Sequence, residues 1–126
     1  MMAKILVVDD SGMSRRSLRK ILETAGHQVI EAQDGIAALE LFFIDKPEIV
    51  LLDLTMGGLY GVDVLKKMLE MDPGARVIVA SADIQSSTRE MVQEAGALAF
   101  INKPFSADQV LNAVNLALKE ARDGID

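Results

Sequence analysis

Residues 49–55 read IVLLDLT, and this stretch decides the fold. Four consecutive aliphatic residues, 49–52, are typical of a strand that is buried on both faces in a parallel sheet. Asp53 follows at the end of this strand, where burying an ionised carboxylate without partners would cost several kcal/mol. Because open α/β sheets bind ligands beyond the carboxyl ends of their strands, Asp53 is predicted to lie in a functional site.

Strand and helix patterns alternate along the rest of the chain. Apolar runs typical of strands occupy residues 5–8, 49–52, 77–80 and 97–101, and residues 28–32, which alternate and include Glu31, are predicted to form an edge strand. Helical spacing covers residues 13–25, 36–44, 62–71 and 84–94, and a last helix is capped by Ser106 or Asp108. Five strand–helix pairs predict an α/β fold with a doubly wound, five-stranded parallel sheet, formed by one domain over residues 1–126. The fourth helix has a thin apolar face and is predicted to move more easily than the others.

The composition excludes several classes of function. Of 126 residues, half are hydrophobic and a quarter are charged, as in a globular domain. The formal net charge of −6 disfavours binding to nucleic acid, and no apolar run approaches the roughly 20 residues needed for membrane insertion. With no cysteine and a single histidine, neither disulfides nor a zinc site of His and Cys is expected. We expect a cytoplasmic protein that binds cations or partners with basic patches.

Polar side chains follow four of the predicted strands at their carboxyl ends. They are Asp9 and Asp10, Asp53, Ser81, and Lys103. Because the strands of a parallel sheet end at one edge, these groups are expected to converge. Three carboxylates in one place need a counter-ion, and Mg²⁺ (or Mn²⁺) is the hard cation that such oxygen ligands bind. Asp10 could instead simply cap the first helix.

This constellation resembles the receiver domain of two-component response regulators, and the resemblance covers essentially the whole chain. The matching residues are Asp9-Asp10, Asp53, Ser81-Ala82, Phe100 and Lys103-Pro104-Phe105. The resemblance implies a flavodoxin-like sheet in the order 2-1-3-4-5 and a cis peptide bond before Pro104. It also implies a stand-alone, chemotaxis-regulator-like signalling module without an output domain. Such a module gains and loses its own phosphoryl group and is not a turnover enzyme.

The phosphoryl chemistry that the resemblance implies centres on Asp53. This carboxylate would be the phosphoacceptor, attacking a phosphohistidine on a histidine kinase or phosphotransfer protein to form an acyl phosphate. Asp9, Asp10, Asp53 itself and the backbone carbonyl of Thr55 would hold Mg²⁺.

The other matching residues are implied to bind the phosphoryl group or to respond to it. Ser81 would donate a hydrogen bond to it, Lys103 would pair with it, and the small Ala82 would keep the approach open. Movement of Ser81 coupled to Phe100 would switch the surface of the fourth helix, fifth strand and fifth helix, where a downstream protein partner binds. Asp83 stands at a position that tunes hydrolysis in the family.

Two positions in the loop after Asp53 depart from the family pattern. The family usually has proline where Gly57 stands and aspartate where Tyr60 stands. Without the restraint that proline places on φ, this loop is predicted to be more mobile, which affects its rigidity and the metal affinity.

Four basic residues cluster on the first helix, outside this constellation. They are Arg15, Arg16, Arg19 and Lys20. The first two lie near the helix N-terminus, where the helix dipole disfavours cations. We interpret the cluster as a docking face for an acidic kinase or phosphotransfer domain, with an ordinary solvated surface as the alternative.

Three other functions compete with that of a phosphoacceptor receiver domain, and they differ from it in the role of the polar residues at the sheet edge. A receiver used as a phosphorylation-independent docking module would leave Asp53 unmodified. A haloacid-dehalogenase-type phosphatase also uses an aspartate nucleophile with Mg²⁺, but that nucleophile follows the first strand in an Asp-x-Asp arrangement. A flavodoxin-like FMN carrier needs hydroxyls in its first loop, where Asp9 and Asp10 would repel the phosphate.

Overall fold

Strands and helices alternate in the computed structural model, which describes residues 2–54, 61–82 and 86–123, without the side chains of residues 86, 87 and 120–123. The strands are Lys4–Val8 (β1), Gln28–Ala32 (β2), Ile49–Asp53 (β3), Val77–Ser81 (β4) and Ala99–Asn102 (β5). The helices are Gly12–Thr24 (α1), Gly35–Asp45 (α2), Gly61–Met71 (α3), Ser86–Glu94 (α4) and Ala107–Asp123 (α5). Within these described ranges, no helix has both the length and the apolar character needed to cross a membrane.

The sheet is parallel throughout, and its strands lie in the order β2-β1-β3-β4-β5. The predicted doubly wound α/β fold and its strand order are therefore confirmed. β1 pairs with β3 so that Ile5 lies beside Ile49 and Val8 lies beside Leu52. The carboxyl ends of these two strands are adjacent at the point where the strand order reverses, which is where sheets of this kind bind ligands.

Helices cover both faces of the sheet, so two apolar layers form from alternate residues of the same strands. Val7 lies in one cluster with Leu22 of α1, and Val8 lies in the other with Met68 of α3. Because both faces are covered, every residue of β3 is buried, including Asp53 at its end. The carboxylate of Asp53 is therefore buried at the carboxyl edge of the sheet.

Some predicted element boundaries are corrected by the backbone hydrogen bonds. The fifth strand begins at Ala99, so the predicted start at residue 97 is wrong. The Ala97 N–H donates to the Val92 carbonyl at 2.9 Å, so Ala97 belongs to the hydrogen-bonded turn that ends α4 and not to β5. Of the two caps proposed for the last helix, Ser106 is the correct one, since its Oγ accepts a hydrogen bond from the Gln109 N–H at 3.2 Å. The predicted start of the fourth helix, at residue 84, lies outside the described residues.

Helix α4 is held to the sheet by little apolar surface. Among its described side chains, 88–94, Val92 is fully buried whereas Met91 is 46% exposed. The thin apolar face is therefore present as predicted, and the easier movement of this helix stays a prediction.

His27, in the turn between α1 and β2, is predicted to make the free energy of unfolding depend on pH. Its Nδ1 accepts a hydrogen bond from the Ala3 N–H at 3.1 Å, and burial lowers its pKa. Because the neutral ring is the form that the native state favours, stability is lost as pH falls through the unfolded-state pKa of about 6.5. Urea denaturation followed by circular dichroism should show wild type losing stability between about pH 7.5 and pH 5.5.

The matched variant is His27→Asn, which keeps a hydrogen-bond acceptor near the Nδ1 position but does not titrate. Its stability should change less over the same pH range. Equal pH dependence of wild type and His27→Asn would contradict the assignment of this effect to His27.

Candidate functional site

The polar residues predicted to converge lie together at the carboxyl edge of the sheet. Asp53 and Ser81 are the last residues of β3 and β4, and Asp9 and Lys103 follow β1 and β5 directly. Asp9, Asp53 and Ser81 are at most 3% exposed, whereas Asp10 is exposed. One carboxylate oxygen from each of the three aspartates lies within 4.8 Å of the other two. The structure therefore brings together two buried carboxylates and one that reaches solvent.

Asp9 is held by hydrogen bonds at every polar atom. Its Oδ1 accepts from the Ser11 N–H at 2.9 Å, and its Oδ2 accepts from Lys103 Nζ at 2.7 Å. Its backbone N–H donates to the Ala32 carbonyl at 3.1 Å, and its own carbonyl accepts from Arg15 Nη1 at 2.6 Å. Asp9 is therefore a fixed point around which the rest of the site is arranged.

Helix α1 is capped by Ser11, so the alternative role of Asp10 as the cap is wrong. The Ser11 Oγ accepts a hydrogen bond from the Ser14 N–H at 3.2 Å, and the Ser11 carbonyl accepts from the Arg15 N–H at 3.0 Å. A serine in this position satisfies one of the unpaired amides of the first helical turn. The exposed Asp10 carboxylate therefore does not cap the helix, and it lies with those of Asp9 and Asp53 at the edge of the sheet.

Lys103 carries the positive charge of the site. Its Nζ lies 2.7 Å from Asp9 Oδ2 and 3.6 Å from Asp53 Oδ2, and its side chain is 19% exposed. Its backbone N–H donates to the Ser81 carbonyl at 2.9 Å, which ties the loop after β5 to the end of β4. The Lys103–Pro104 peptide bond is cis, as predicted.

The acidic cluster suits a hard divalent cation. Three carboxylates against one ammonium leave two negative charges in excess. The available ligands are oxygen atoms, which Mg²⁺ prefers, and the exposed Asp10 leaves a side of the cluster open to the water molecules that Mg²⁺ retains. The donor set therefore fits the predicted cation. The carbonyl of Thr55, predicted as a further ligand, lies outside the described residues.

Ala82 lies at the surface beside Lys103. The exposed Ala82 lines a groove of about 440 Å³ together with Met13, Lys103 and Phe105. The role of Ala82 in keeping the approach open stays a prediction. Asp83, predicted to tune hydrolysis, and the unusual loop residues Gly57 and Tyr60 lie outside the described residues.

Phe100 is a half-buried residue of β5 that packs into the cluster formed with α3 and α4. The strand register places it beside Val79, two residues before Ser81. The Arg89 guanidinium of α4 lies 5.0 Å from the centroid of its ring, a cation–π contact that the sequence did not indicate. Both residues border a groove of about 490 Å³ between α4, β5 and α5. Coupling between Phe100 and Ser81 stays a prediction.

The basic cluster on α1 is not one uniform surface. Arg15 and Arg19 both reach Glu31 of β2, with Nε–Oε distances of 3.0 and 2.6 Å. Burial alone would raise the pKa of Glu31, but the hydrogen bonds from Arg19 and Arg15 outweigh burial and lower it. Arg16 and Lys20 are exposed, and the docking hypothesis stays a prediction for these two. In the sequence, only the presence of a carboxylate within a predicted strand pointed to these contacts of Glu31.

Comparison with known proteins gives results that agree with this geometry. A family model described as the response regulator receiver domain matches residues 5–115. The chemotaxis protein CheY of Thermotoga maritima is 38% identical over 117 residues, covering 92% of this chain and 98% of that protein.

Solved structures give the same result. NtrX from Brucella abortus, crystallised with ADP, has a TM-score of 0.92 and 32% identity to this chain. The match covers 97% of this chain and 28% of the NtrX chain. A CheX–CheY–BeF3–Mg²⁺ complex from Borrelia burgdorferi has a TM-score of 0.84 and 33% identity, covering 88% of this chain and 85% of that one.

Proposed function

Because the chain belongs to the response regulator receiver domain family, we propose that it is a switch whose phosphoacceptor is Asp53. The observation that carries the proposal is the setting of this carboxylate. It is buried at the end of a central strand, 3.6 Å from the Lys103 ammonium, and within 4.8 Å of the exposed Asp10 carboxylate. Receiver domains are signalling modules of two-component systems, so the outcome of the reaction is a modified protein and not a released product.

The proposed reaction moves a phosphoryl group from a histidine to Asp53. A carboxylate oxygen of Asp53 attacks phosphorus, the P–N bond of the phosphohistidine breaks, and the imidazole nitrogen leaves with the bonding electrons. The product is an acyl phosphate on Asp53. In this proposal Lys103, whose Nζ lies 3.6 Å from Asp53 Oδ2, would pair with the added negative charge. Ser81, the last residue of β4, would donate a hydrogen bond from its hydroxyl to the phosphoryl group.

A divalent cation completes this arrangement in the proposal. Mg²⁺ would supply positive charge against the phosphoryl oxygens, and Asp9, Asp10 and Asp53 would hold it. The related CheY of Borrelia burgdorferi was crystallised in a complex with CheX, BeF3 and Mg²⁺. Because trifluoroberyllate resembles a phosphoryl group in shape and charge, a relative crystallised with it and Mg²⁺ supports the proposal of Mg²⁺-dependent phosphoryl chemistry for this chain.

We propose that the response appears on the surface formed by α4, β5 and α5. Phe100 and Arg89 border the groove between these elements, and α4 is held by little buried apolar surface. A new dianionic group at the edge of the sheet can bias such a weakly held element. The donor in this proposal is a histidine kinase or phosphotransfer protein, and the receiver of the signal is a downstream protein that binds this surface.

Intact-mass spectrometry after incubation with acetyl phosphate tests the proposed function. With Mg²⁺ present, the wild-type protein should gain the mass of one phosphoryl group, and chelation of the metal should prevent the gain. Acetyl phosphate is the probe because it is a small donor that needs no cognate kinase. A wild-type protein that binds Mg²⁺ but never gains this mass would point to a docking module that works without phosphorylation.

We predict that Mg²⁺ raises the thermal unfolding midpoint of wild type but not that of Asp10→Asn. A ligand that binds only the native state stabilises it by about 2.7 kcal/mol at a hundredfold excess over its Kd. Asp10→Asn removes one ligand charge at an exposed position, so the fold should be kept while the metal-dependent gain is lost. Differential scanning calorimetry with and without Mg²⁺ measures the difference.

The control variant is Asp72→Asn. Asp72 is an exposed turn residue whose Oδ1 accepts a hydrogen bond from the Gly74 N–H, and asparagine makes the same contact. This variant should respond to Mg²⁺ as wild type does. An Asp10→Asn protein that Mg²⁺ stabilises as strongly as wild type would exclude Asp10 from the metal site.

A further inference from the structure

We propose that Arg15 is a positioning residue, which sets the backbone of the Asp9–Asp10 pair for metal binding. The inference rests on the proposed function of the acidic edge. It concerns a side chain of α1 that does not itself lie among the predicted ligands. Its Nη1 donates to the Asp9 carbonyl at 2.6 Å, while its Nε donates to Glu31 Oε1 at 3.0 Å. One guanidinium thus joins the turn after β1 to strand β2.

The placement of this arginine opposes the local preference of the helix. Arg15 is the fourth residue of α1, where the helix dipole disfavours a cation, and its side chain is only 18% exposed. The contacts with Glu31 and the Asp9 carbonyl offset that cost, because the guanidinium donates to a charged carboxylate oxygen and to a carbonyl oxygen with partial negative charge. A planar fork with several donors can make both contacts at once, which a lysine ammonium at this distance cannot.

The Asp9 carbonyl is a sensitive point because it belongs to the peptide unit that leads to Asp10. A peptide unit is planar, so fixing its oxygen also fixes the direction of the Asp10 N–H and the position of the Asp10 Cα. The Asp9 carboxylate is held separately by Ser11 and Lys103. Arg15 therefore holds the oxygen of the peptide unit between Asp9 and Asp10, which the contacts of Ser11 and Lys103 with the Asp9 carboxylate do not reach.

Arg19 provides the matched control within the same network. It also pairs with Glu31, at 2.6 Å, but its other contacts go to Glu23 and to the Val29 carbonyl. Loss of either arginine removes a bond between α1 and Glu31 of β2, and loss of Arg19 also removes the bond to the Val29 carbonyl of the same strand. Only loss of Arg15 releases the Asp9 carbonyl, so the two variants separate positioning of the acidic pair from support of the fold.

The sign of the change in Mg²⁺ affinity distinguishes positioning from simple electrostatics. If Arg15 acted only as a nearby positive charge, Arg15→Gln would strengthen Mg²⁺ binding by removing repulsion. If it only supported the fold, Mg²⁺ affinity would not change. Positioning predicts weaker binding, by about tenfold or more, as for other groups that orient metal ligands. Positioning also predicts that Arg15→Lys binds Mg²⁺ as weakly as Arg15→Gln does, although lysine keeps the positive charge.

The experiment is isothermal titration calorimetry of Mg²⁺ binding to wild type, Arg15→Gln, Arg15→Lys and Arg19→Gln, each checked for folding by circular dichroism. We expect both Arg15 variants to lose affinity about tenfold and Arg19→Gln to bind within about twofold of wild type. If Arg15→Gln does not fold, Arg15→Lys carries the same comparison. Unchanged or tighter binding by a folded Arg15 variant, or an equal loss in Arg19→Gln, would overturn the inference.

Phosphorylation by acetyl phosphate, measured on the same proteins, separates this inference from the proposed function. A wild type that binds Mg²⁺ but takes no phosphoryl group, with weaker binding in the Arg15 variants, would refute the function and keep the inference. A wild type that is phosphorylated, with Arg15→Gln binding Mg²⁺ normally, would keep the function and refute the inference. Absence of Mg²⁺ binding by wild type would refute the role of Arg15 together with the metal site.

Discussion

Asp53→Asn is expected to abolish the phosphoryl adduct that wild type forms with acetyl phosphate and Mg²⁺. An amide oxygen is neutral and a far weaker nucleophile than a carboxylate, so the rate should fall by about a thousandfold or more. The adduct is measured by intact-mass spectrometry over time. A variant that accumulates the adduct at the wild-type rate would show that another residue is the acceptor.

Asp34→Asn is the matched control for this substitution. Asp34 follows β2 at the same edge of the sheet and caps α2, its Oδ1 accepting a hydrogen bond from the Ala37 N–H at 2.8 Å. Asparagine caps helices about as well as aspartate, so this variant should fold and be phosphorylated normally. The same chemical change is thereby made at two aspartates, of which only one is the proposed acceptor.

The stability of Asp53→Asn should change in the opposite direction from its reactivity. Replacing Asp53 removes one negative charge from three carboxylates that face a single ammonium. Because like charges in one cluster repel, the free energy of unfolding without Mg²⁺ should rise. A variant that is inactive but more stable than wild type cannot owe its inactivity to loss of the fold.

Lys103→Met is expected to cause the largest loss of stability among changes at the site. It removes the ammonium that lies 2.7 Å from Asp9 and 3.6 Å from Asp53, while keeping most of the apolar stem. Breaking one partner of a buried ion pair costs about 3–5 kcal/mol, and the partial exposure of Lys103 places this case near the lower end. Phosphorylation should also slow strongly, because the charge opposite the added phosphoryl group is lost.

Urea denaturation at pH 7 tests this role of Lys103. Lys103→Arg keeps the positive charge and should lose less stability. If Lys103→Met were as stable as wild type at pH 7, the ammonium would not be the main counter-charge of the cluster.

The sequence predicted the fold well because its determinants are local and repeated. Most strands are short apolar runs, each helix has its own apolar spacing, and the strict alternation of the two leaves few topologies. Asp53 was predicted to lie at a site because its strand is apolar throughout and the carboxyl edge is a general location of ligands. The start of β5 was misplaced because Ala97 is apolar like a strand residue, whereas its amide closes α4.

The details of the site depend on contacts that sequence patterns do not contain. The choice between Asp10 and Ser11 as cap of α1 is decided by a hydrogen bond from Ser14, and both residue types are good caps. The division of the basic cluster follows from the distance of Arg15 and Arg19 to Glu31, which belongs to another element. The contact between Arg89 and Phe100 likewise joins a helix and a strand whose spacing only the folded chain defines.

The most direct test of the central claim is to locate the phosphoryl group on the chain. Borohydride reduces an aspartyl phosphate to homoserine, and peptide mass spectrometry then identifies the residue that was converted. After incubation with acetyl phosphate and Mg²⁺, we expect homoserine at position 53 and unchanged aspartate at positions 9 and 10. Conversion of Asp9 or Asp10, or no conversion in a protein that binds Mg²⁺, would contradict the assignment of Asp53 as the phosphoacceptor.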